Sequence, residues 1–176
     1  MLRQEGQANG FLRMERFSAQ FEHWAPYPLD RVFCFFANPE NLPRIMPHWM
    51  DVRLENLKIV PPAGHPTFAG TGSDLKASFR AAPYLPFRIR SVARITGFEL
   101  NRYFEDIQGE GPFKSWHHRH EFEAEVRDGV SGTLVRDRVQ YEIGFGPLGK
   151  LANLLFIAPQ MRRTFAYRQR VLAKLL

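Results

Sequence analysis

From Pro147 onward the hydrophobic spacing of this chain changes from a period of two to a helical period, and it stays helical to the end. Leu148, Leu151, Leu154, Ile157, Ala158, Met161, Phe165, Leu172 and Leu175 fall in steps built on three and four, the stripe of an amphipathic helix. As one helix, Pro147–Lys174 would reach about 40 Å, enough to cross a small domain. Pro159 lies inside it and is expected to kink it near Leu155, because proline has no N–H to donate and crowds the preceding turn. A stripe this long must be covered, and nothing upstream offers a second long helix to cover it.

What the upstream chain offers is strands. Phe17, Ala19, Phe21 and His23 alternate with Arg16, Ser18, Gln20 and Glu22, a half-buried strand. Leu29–Phe36 reads as a short helix entered after Pro28 and broken at Asn38-Pro39, with a second over Glu40–Ile45 stopped at Pro47. Val52–Ile59 and Ser73–Phe79 read as strands around the loop PPAGHPTFAGTG. Then comes an alternating run, Phe87, Ile89, Ser91, Ala93 and Ile95, with a turn at Gly97–Asn101. The next strand runs through Gln108, with a turn at Gly109–Pro112. Phe113–Val126 and Thr133–Ile143 are long strands joined at Asp128-Gly129, a hairpin signal. Strands joined by tight turns form an antiparallel sheet. One helix covers one face of a seven-stranded sheet, so the sheet must curl around it, and the space between them is where a ligand would sit. The expected architecture is α+β in one domain over 13–176, after a loose N-terminus, 1–12.

The charge narrows the function classes. Of 24 Lys and Arg against 18 Asp and Glu, the six basic residues Lys150, Arg162, Arg163, Arg168, Arg170 and Lys174 lie after Pro147 with no acid among them. The rest of the chain is balanced. A nucleic-acid binder is expected to spread its cations, so no nucleic-acid partner is expected. The acid-free helix instead suggests transient contact with an anionic membrane. Asn153–Ile157 is apolar nearly all round and suggests a second subunit, a lid or a membrane surface, unless the PPAGHPTFAGTG loop covers it. The single Cys34, the lack of an 18-residue apolar run and the absence of a signal-peptide pattern at the start point to a cytoplasmic protein.

Parity along the two long strands selects the candidate site. Trp116, His118, His120, Phe122 and Ala124 share one face, while His117, Arg119, Glu121, Glu123 and Glu125 share the charged, outer one. On the next strand Thr133, Val135, Asp137, Val139, Tyr141 and Ile143 face inward, and Leu134, Arg136, Arg138, Gln140 and Glu142 outward. Pairing Ala124 with Thr133 puts His120 opposite Asp137, and a two-residue slip puts His118 or Phe122 there. A carboxylate turned inward needs a partner, and Asp137 is expected to raise the pKa of the histidine it meets. Such a pair can be structural, can anchor a ligand's polar group, or can act as an acid–base dyad. His118-x-His120 also presents two imidazoles for a metal, with Asp137 or Asp106 as a third ligand, but two inward histidines among aromatics are ordinary without one. No metal and no cofactor are expected.

Three stretches carry a family resemblance: VFCFFANPENLPRIMPHW (32–49), FEDIQGEGPFKSWHHRHEFE (104–123), and DRVQYEIGFGPLGKLANLLF with TFAYRQRVL (137–156 and 164–172). With this order of elements the chain resembles the START/Bet v1-like (SRPBCC) superfamily, and within it a bacterial polyketide cyclase/dehydrase and lipid-transport-like branch. The resemblance implies a helix-grip fold, a curved seven-stranded antiparallel sheet wrapped around a long C-terminal helix. It also implies a cavity for a hydrophobic small molecule or lipid, and it favours Phe104, Asp106 and Gln108 pointing into that cavity, a choice spacing alone leaves open. It assigns no catalytic residue. The expected ligand-binding residues are therefore Phe87, Ile89, Phe104, Asp106, Gln108, Trp116, His118, His120 and Phe122. Asp137 and Tyr141 follow from the last strand, and Met161 and Phe165 from the closing helix. The reading is a carrier or sensor of a hydrophobic ligand, and a sheet–helix space filled solid, with no ligand-sized void, would count strongly against it. The alternative is a cyclase or dehydratase using a His120/Asp137 acid–base pair. The exposed helix segment leaves a homodimer as a further partner.

Overall fold

The structure, a computed structural model, describes residues 16–83 and 86–176. The expected loose segment 1–12 lies outside them. Seven strands form one antiparallel sheet: β1 (Arg16–Ala25), β2 (Arg53–Lys58), β3 (Asp74–Phe79), β4 (Ile89–Glu99), β5 (Tyr103–Glu110), β6 (Ser115–Arg127) and β7 (Val130–Glu142). Their spatial order is β1-β7-β6-β5-β4-β3-β2, so the chain's first strand closes onto its last. Between β1 and β2 lie α1 (Leu29–Ala37) and the single turn α2 (Leu42–Ile45). After β7 come α3 (Gly146–Ala152), a π-helical turn (Asn153–Ile157) and α4 (Ala158–Leu175). This is the helix-grip arrangement.

The core is aromatic. Val32 and Phe33 on α1 are fully buried, and the Phe33 ring meets Phe68, Phe98, Phe104 and Phe122 edge-on, with centroids 5.1–6.3 Å apart. Burying each such ring contributes roughly 1.5–3 kcal/mol. A second apolar cluster joins Val139 and Tyr141 of β7 to Met161 and Phe165 of α4, with Phe17 and Phe21 packed against it. The outer face of the sheet carries ion pairs such as Arg119–Glu105 at 2.8 Å and Arg136–Glu123 at 2.7 Å, which water screens and which add little stability.

Several local expectations are corrected. The chain does not turn at Gly97. β4 continues to Glu99 through a bulge between Ile95 and Gly97, and the bulge resets parity so that Phe98 joins the core. A Cβ at Gly97 would lie 2.9 Å from the Glu105 carboxylate, so glycine lets that side chain cross the bulge. Pro159 falls in the first turn of α4, and the helix is disturbed where expected, around Leu155, by a π-helical turn over Asn153–Ile157 that accommodates the carbonyl Pro159 cannot bond. Leu134, expected outside, is buried beside Trp24, its partner on β1. Phe87, expected inside, precedes β4 and is 57% exposed. The PPAGHPTFAGTG loop packs on α1, through the Ala69 N–H to the Ala37 carbonyl and Phe68 against Phe33. The apolar turn 153–157 stays largely uncovered.

Candidate functional site

The register of the long hairpin is the one that pairs Ala124 with Thr133, and it sets His120 opposite Asp137. On the other side of β6, Asp106 of β5 pairs with His118. Three adjacent strands thus deliver two imidazoles and two carboxylates to one inward-facing patch. Asp137 serves both histidines. Its Oδ1 lies 3.1 Å from His118 Nε2 in a hydrogen bond and 2.5 Å from His120 Nδ1. The second approach is close but poorly aligned, and His120 Nδ1 has no full hydrogen-bond partner. Asp106 Oδ2 stands 3.8 Å from His118 Nδ1.

The surroundings are aromatic and dry. Phe104 lies 4.4 Å and Phe36 5.9 Å from the His120 ring, and Phe165 meets the His118 ring edge-on at 5.7 Å. The patch marks the seam between the two apolar clusters, with Phe122 in one and Trp116 and Tyr141 in the other. From α4 the Arg168 side chain comes down over Phe165, 4.9 Å from the ring centroid, and is only 9% exposed. It is the cation nearest in kind to what Asp137 needs, and its charge acts on that carboxylate.

These contacts set the protonation states. Burial pushes the Asp137 carboxyl up, but its electrostatic interactions with His120 and Arg168 and its hydrogen-bonding contacts with the two imidazoles outweigh it, leaving Asp137 well below the usual carboxylate range. Burial holds Asp106 above its ordinary value. His120 departs from the expectation of a raised histidine. Burial, reinforced by neighbouring His118, lowers it to about 3 despite Asp137. Desolvation wins because the ring is enclosed by Phe36, Phe104 and His118, which offer no compensation for a positive charge.

The other expected residues divide. Met161 and Phe165 are buried against the sheet, with Phe165 stacked on Phe21 at 4.1 Å. The Tyr141 hydroxyl donates to Asn153 Oδ1 at 2.8 Å, tying β7 to the π-helical turn. Gln108 does not join the polar patch, because its amide bonds the backbone N–H and carbonyl of Phe113 and closes the β5–β6 turn. Ile89 pairs with Phe79, six residues along β4 from Ile95, which faces Asp106. That is about 20 Å away. Phe87 is exposed and contributes no wall. Arg168, Gln169, His23 and Phe36 were not among the expected site residues. They line the small cavity beside Asp137 together with Ile45, Val135, Phe165 and Leu172. The signal for Arg168 was its spacing, three after Phe165 and four before Leu172, which puts it on the buried face of the helix.

The cavity itself is the main correction. The expected ligand-sized void next to Asp137 has a volume of about 10 Å³, room for one water molecule at most. Phe165, Phe36 and Leu172 fill the space between sheet and helix. A larger hollow, about 250 Å³, lies at the surface between Val60–Pro62, Gly70–Thr71 and Phe98, away from the charged patch.

The sequence over residues 25–168 matches the family model described as polyketide cyclase / dehydrase and lipid transport. The chain belongs to that family. Its folds are similar too. The crystal structure of Ara h 8.0201 superposes with a TM-score of 0.58 at 15% identity, covering 90% of this chain and 99% of that one. The crystal structure of TTHA0849 from Thermus thermophilus gives 0.59 at 19% identity, covering 89% and 98%. A solution structure from Staphylococcus epidermidis gives 0.58 at 17% identity, covering 93% and 95%. At these identities the likeness establishes the Bet v1-like fold and nothing narrower. No curated protein matches the sequence. Membership of the family and the fold agree with hydrophobic ligand binding. Among the described residues, no helix is long and apolar enough to cross a membrane.

Proposed function

We propose that this protein binds one hydrophobic, lipid-like small molecule whose polar end docks at Asp137, His118 and Arg168, and that it acts as a carrier or sensor rather than an enzyme. The observation that carries the reading is that Asp137 and Arg168 line one small cavity among aromatic rings at the junction of sheet and closing helix. Family membership supports it. Because the space beside Asp137 is water-sized, ligand entry must displace part of the closing helix. The π-helical turn at Asn153–Ile157, where the regular helical ladder is interrupted, is the natural place to yield. The acid–base alternative loses support, because a histidine lowered to about 3 is far from the pH at which a dyad exchanges protons efficiently.

Uptake at an anionic membrane fits the helix surface, and a cytoplasmic setting fits the lone Cys34. Phe145 is 86%, Leu148 73% and Phe156 64% exposed, with Leu151, Leu154 and Leu155 beside them. The flanking charges are exclusively positive, Arg162 and Arg163 among them. Native mass spectrometry of protein purified without denaturation is expected to show one bound small molecule that Arg168→Met loses. Bare polypeptide from every non-denaturing preparation refutes the binding reading. Sedimentation with phosphatidylserine vesicles is expected to exceed that with phosphatidylcholine vesicles and to fall in Leu148→Asp. Equal sedimentation, with a dimer that Leu148→Asp dissociates, would assign the patch to a homodimer instead.

A further inference from the structure

Asp106, His118 and His120 each place one ligand atom within 4.8 Å of the others. The three ligand atoms come from β5 and β6, and the ion needs no organic ligand to be present. The separation of His118 Nδ1 and Asp106 Oδ2, 3.8 Å, suits two donors that each reach about 2.1 Å to a shared ion. Behind them Asp137 Oδ1 lies beside His118 Nε2 and His120 Nδ1 at 3.1 and 2.5 Å. With Nε2 of His118 committed to Asp137, its Nδ1 is left to face Asp106. A carboxylate on the far nitrogen of each imidazole is the arrangement that fixes ring orientation and tautomer in metal-bound histidines.

We propose that Asp106, His118 and His120 form a site for one divalent first-row transition-metal ion, backed by Asp137. Two imidazoles and a carboxylate suit zinc, cobalt or iron(II), and neither the all-oxygen preference of magnesium and calcium nor the thiolate preference of copper(I). Three protein ligands leave a fourth position free. Metal binding takes up deprotonated ligands, and against the two carboxylates of Asp106 and Asp137 the Arg168 guanidinium supplies one positive charge. A dication then leaves a net positive site in apolar surroundings, so the fourth ligand is expected to be an anion, hydroxide or a small carboxylate.

The test is titration of chelator-treated full-length protein with cobalt(II) chloride, followed by visible ligand-field absorption and by metal content after gel filtration. The folded wild-type protein is expected to take up one equivalent saturably and to release it to zinc. His118→Gln/His120→Gln is expected to lose the absorption. Asp106→Asn and Asp137→Asn, near-isosteric changes that keep the fold, are each expected to weaken binding roughly 10–100-fold. Far-ultraviolet circular dichroism verifies folding of each variant. No saturable absorption in the folded wild-type protein overturns the proposal. So does unchanged binding in either folded Asp variant. No organic ligand enters the titration, so its failure leaves the ligand-binding reading standing.

Discussion

Replacing Phe165 by alanine tests whether α4 is seated on the sheet as described. The ring is 5% exposed, stacked on Phe21 at 4.1 Å and 8°, meets His118 at 5.7 Å, and carries the Arg168 guanidinium at 4.9 Å. Removing a buried phenyl ring loses its transfer free energy and leaves a void, together about 3–5 kcal/mol. The stacked pair adds about 0.5–1.5 kcal/mol to the upper end. For a chain of this length that lowers Tm by roughly 6–20 °C. Urea denaturation followed by circular dichroism should show a lower midpoint at unchanged slope, meaning a loss of stability without a change in the surface exposed on unfolding. The void also merges with the water-sized space beside Asp137, so saturating benzene or toluene should restore part of the lost stability, as it does for apolar cavities of ring size. A loss below about 1 kcal/mol would refute the packing of α4 onto β1 and β6, and with it the placement of Arg168.

Three further outcomes follow from the same contacts. In metal-free protein, folded His120 refuses the proton that the unfolded chain accepts, its pKa being lowered from 6.5 to about 3. Its stabilisation is therefore complete above about pH 6.5 and declines as pH falls, by up to about 1.4 kcal/mol per unit. Asp137, also lowered, adds to the decline below about pH 4, whereas Asp106, raised by burial, acts in the opposite sense above about pH 4. With Asp137, His118 and Arg168 still facing that position, His120→Gln should flatten the stability profile between about pH 6.5 and 5; an unchanged slope contradicts the assignment. Gly132→Ala puts a Cβ 2.5 Å from both the Ala25 carbonyl and the Trp24 ring and should cost about 1–3 kcal/mol by denaturant titration. Tyr141→Phe strips the buried Asn153 amide of its donor and should cost about 1–3 kcal/mol, with faster amide exchange across Asn153–Ile157 as its specific sign.

Sheet, register and helix were legible because each follows from a strict period. Alternation on β6 and β7, together with the Asp128-Gly129 turn, was enough to place His120 opposite Asp137. Where an element departs from its period, the reading slipped. The β4 bulge moved Phe98 inward, and the disturbance at Leu155 took the form of a π-helical turn, which no hydrophobic period signals. Arg168 was counted with the basic tail because charge alone suggested solvent, although its place between Phe165 and Leu172 put it inside. The sign of the His120 shift was missed because a pairwise view sees only Asp137. The enclosing rings and His118 decide it, and these come from α1, β5 and β6 at once. The resemblance likewise implied a cavity, but whether Phe165 and Phe36 fill it depends on how the helix seats, which no local pattern encodes.

The central claim is that the sheet–helix interior accepts an apolar ligand with its polar end at the charged patch. Titration with anilinonaphthalene sulfonate, an aromatic anion, followed by the ring signals of histidine in nuclear magnetic resonance, tests it most directly. Saturable one-to-one binding that shifts the His118 and His120 signals while leaving His65 in place, and that weakens in Arg168→Met, is the predicted result. No saturable binding to the folded protein, or binding that leaves both buried histidines unshifted, contradicts it.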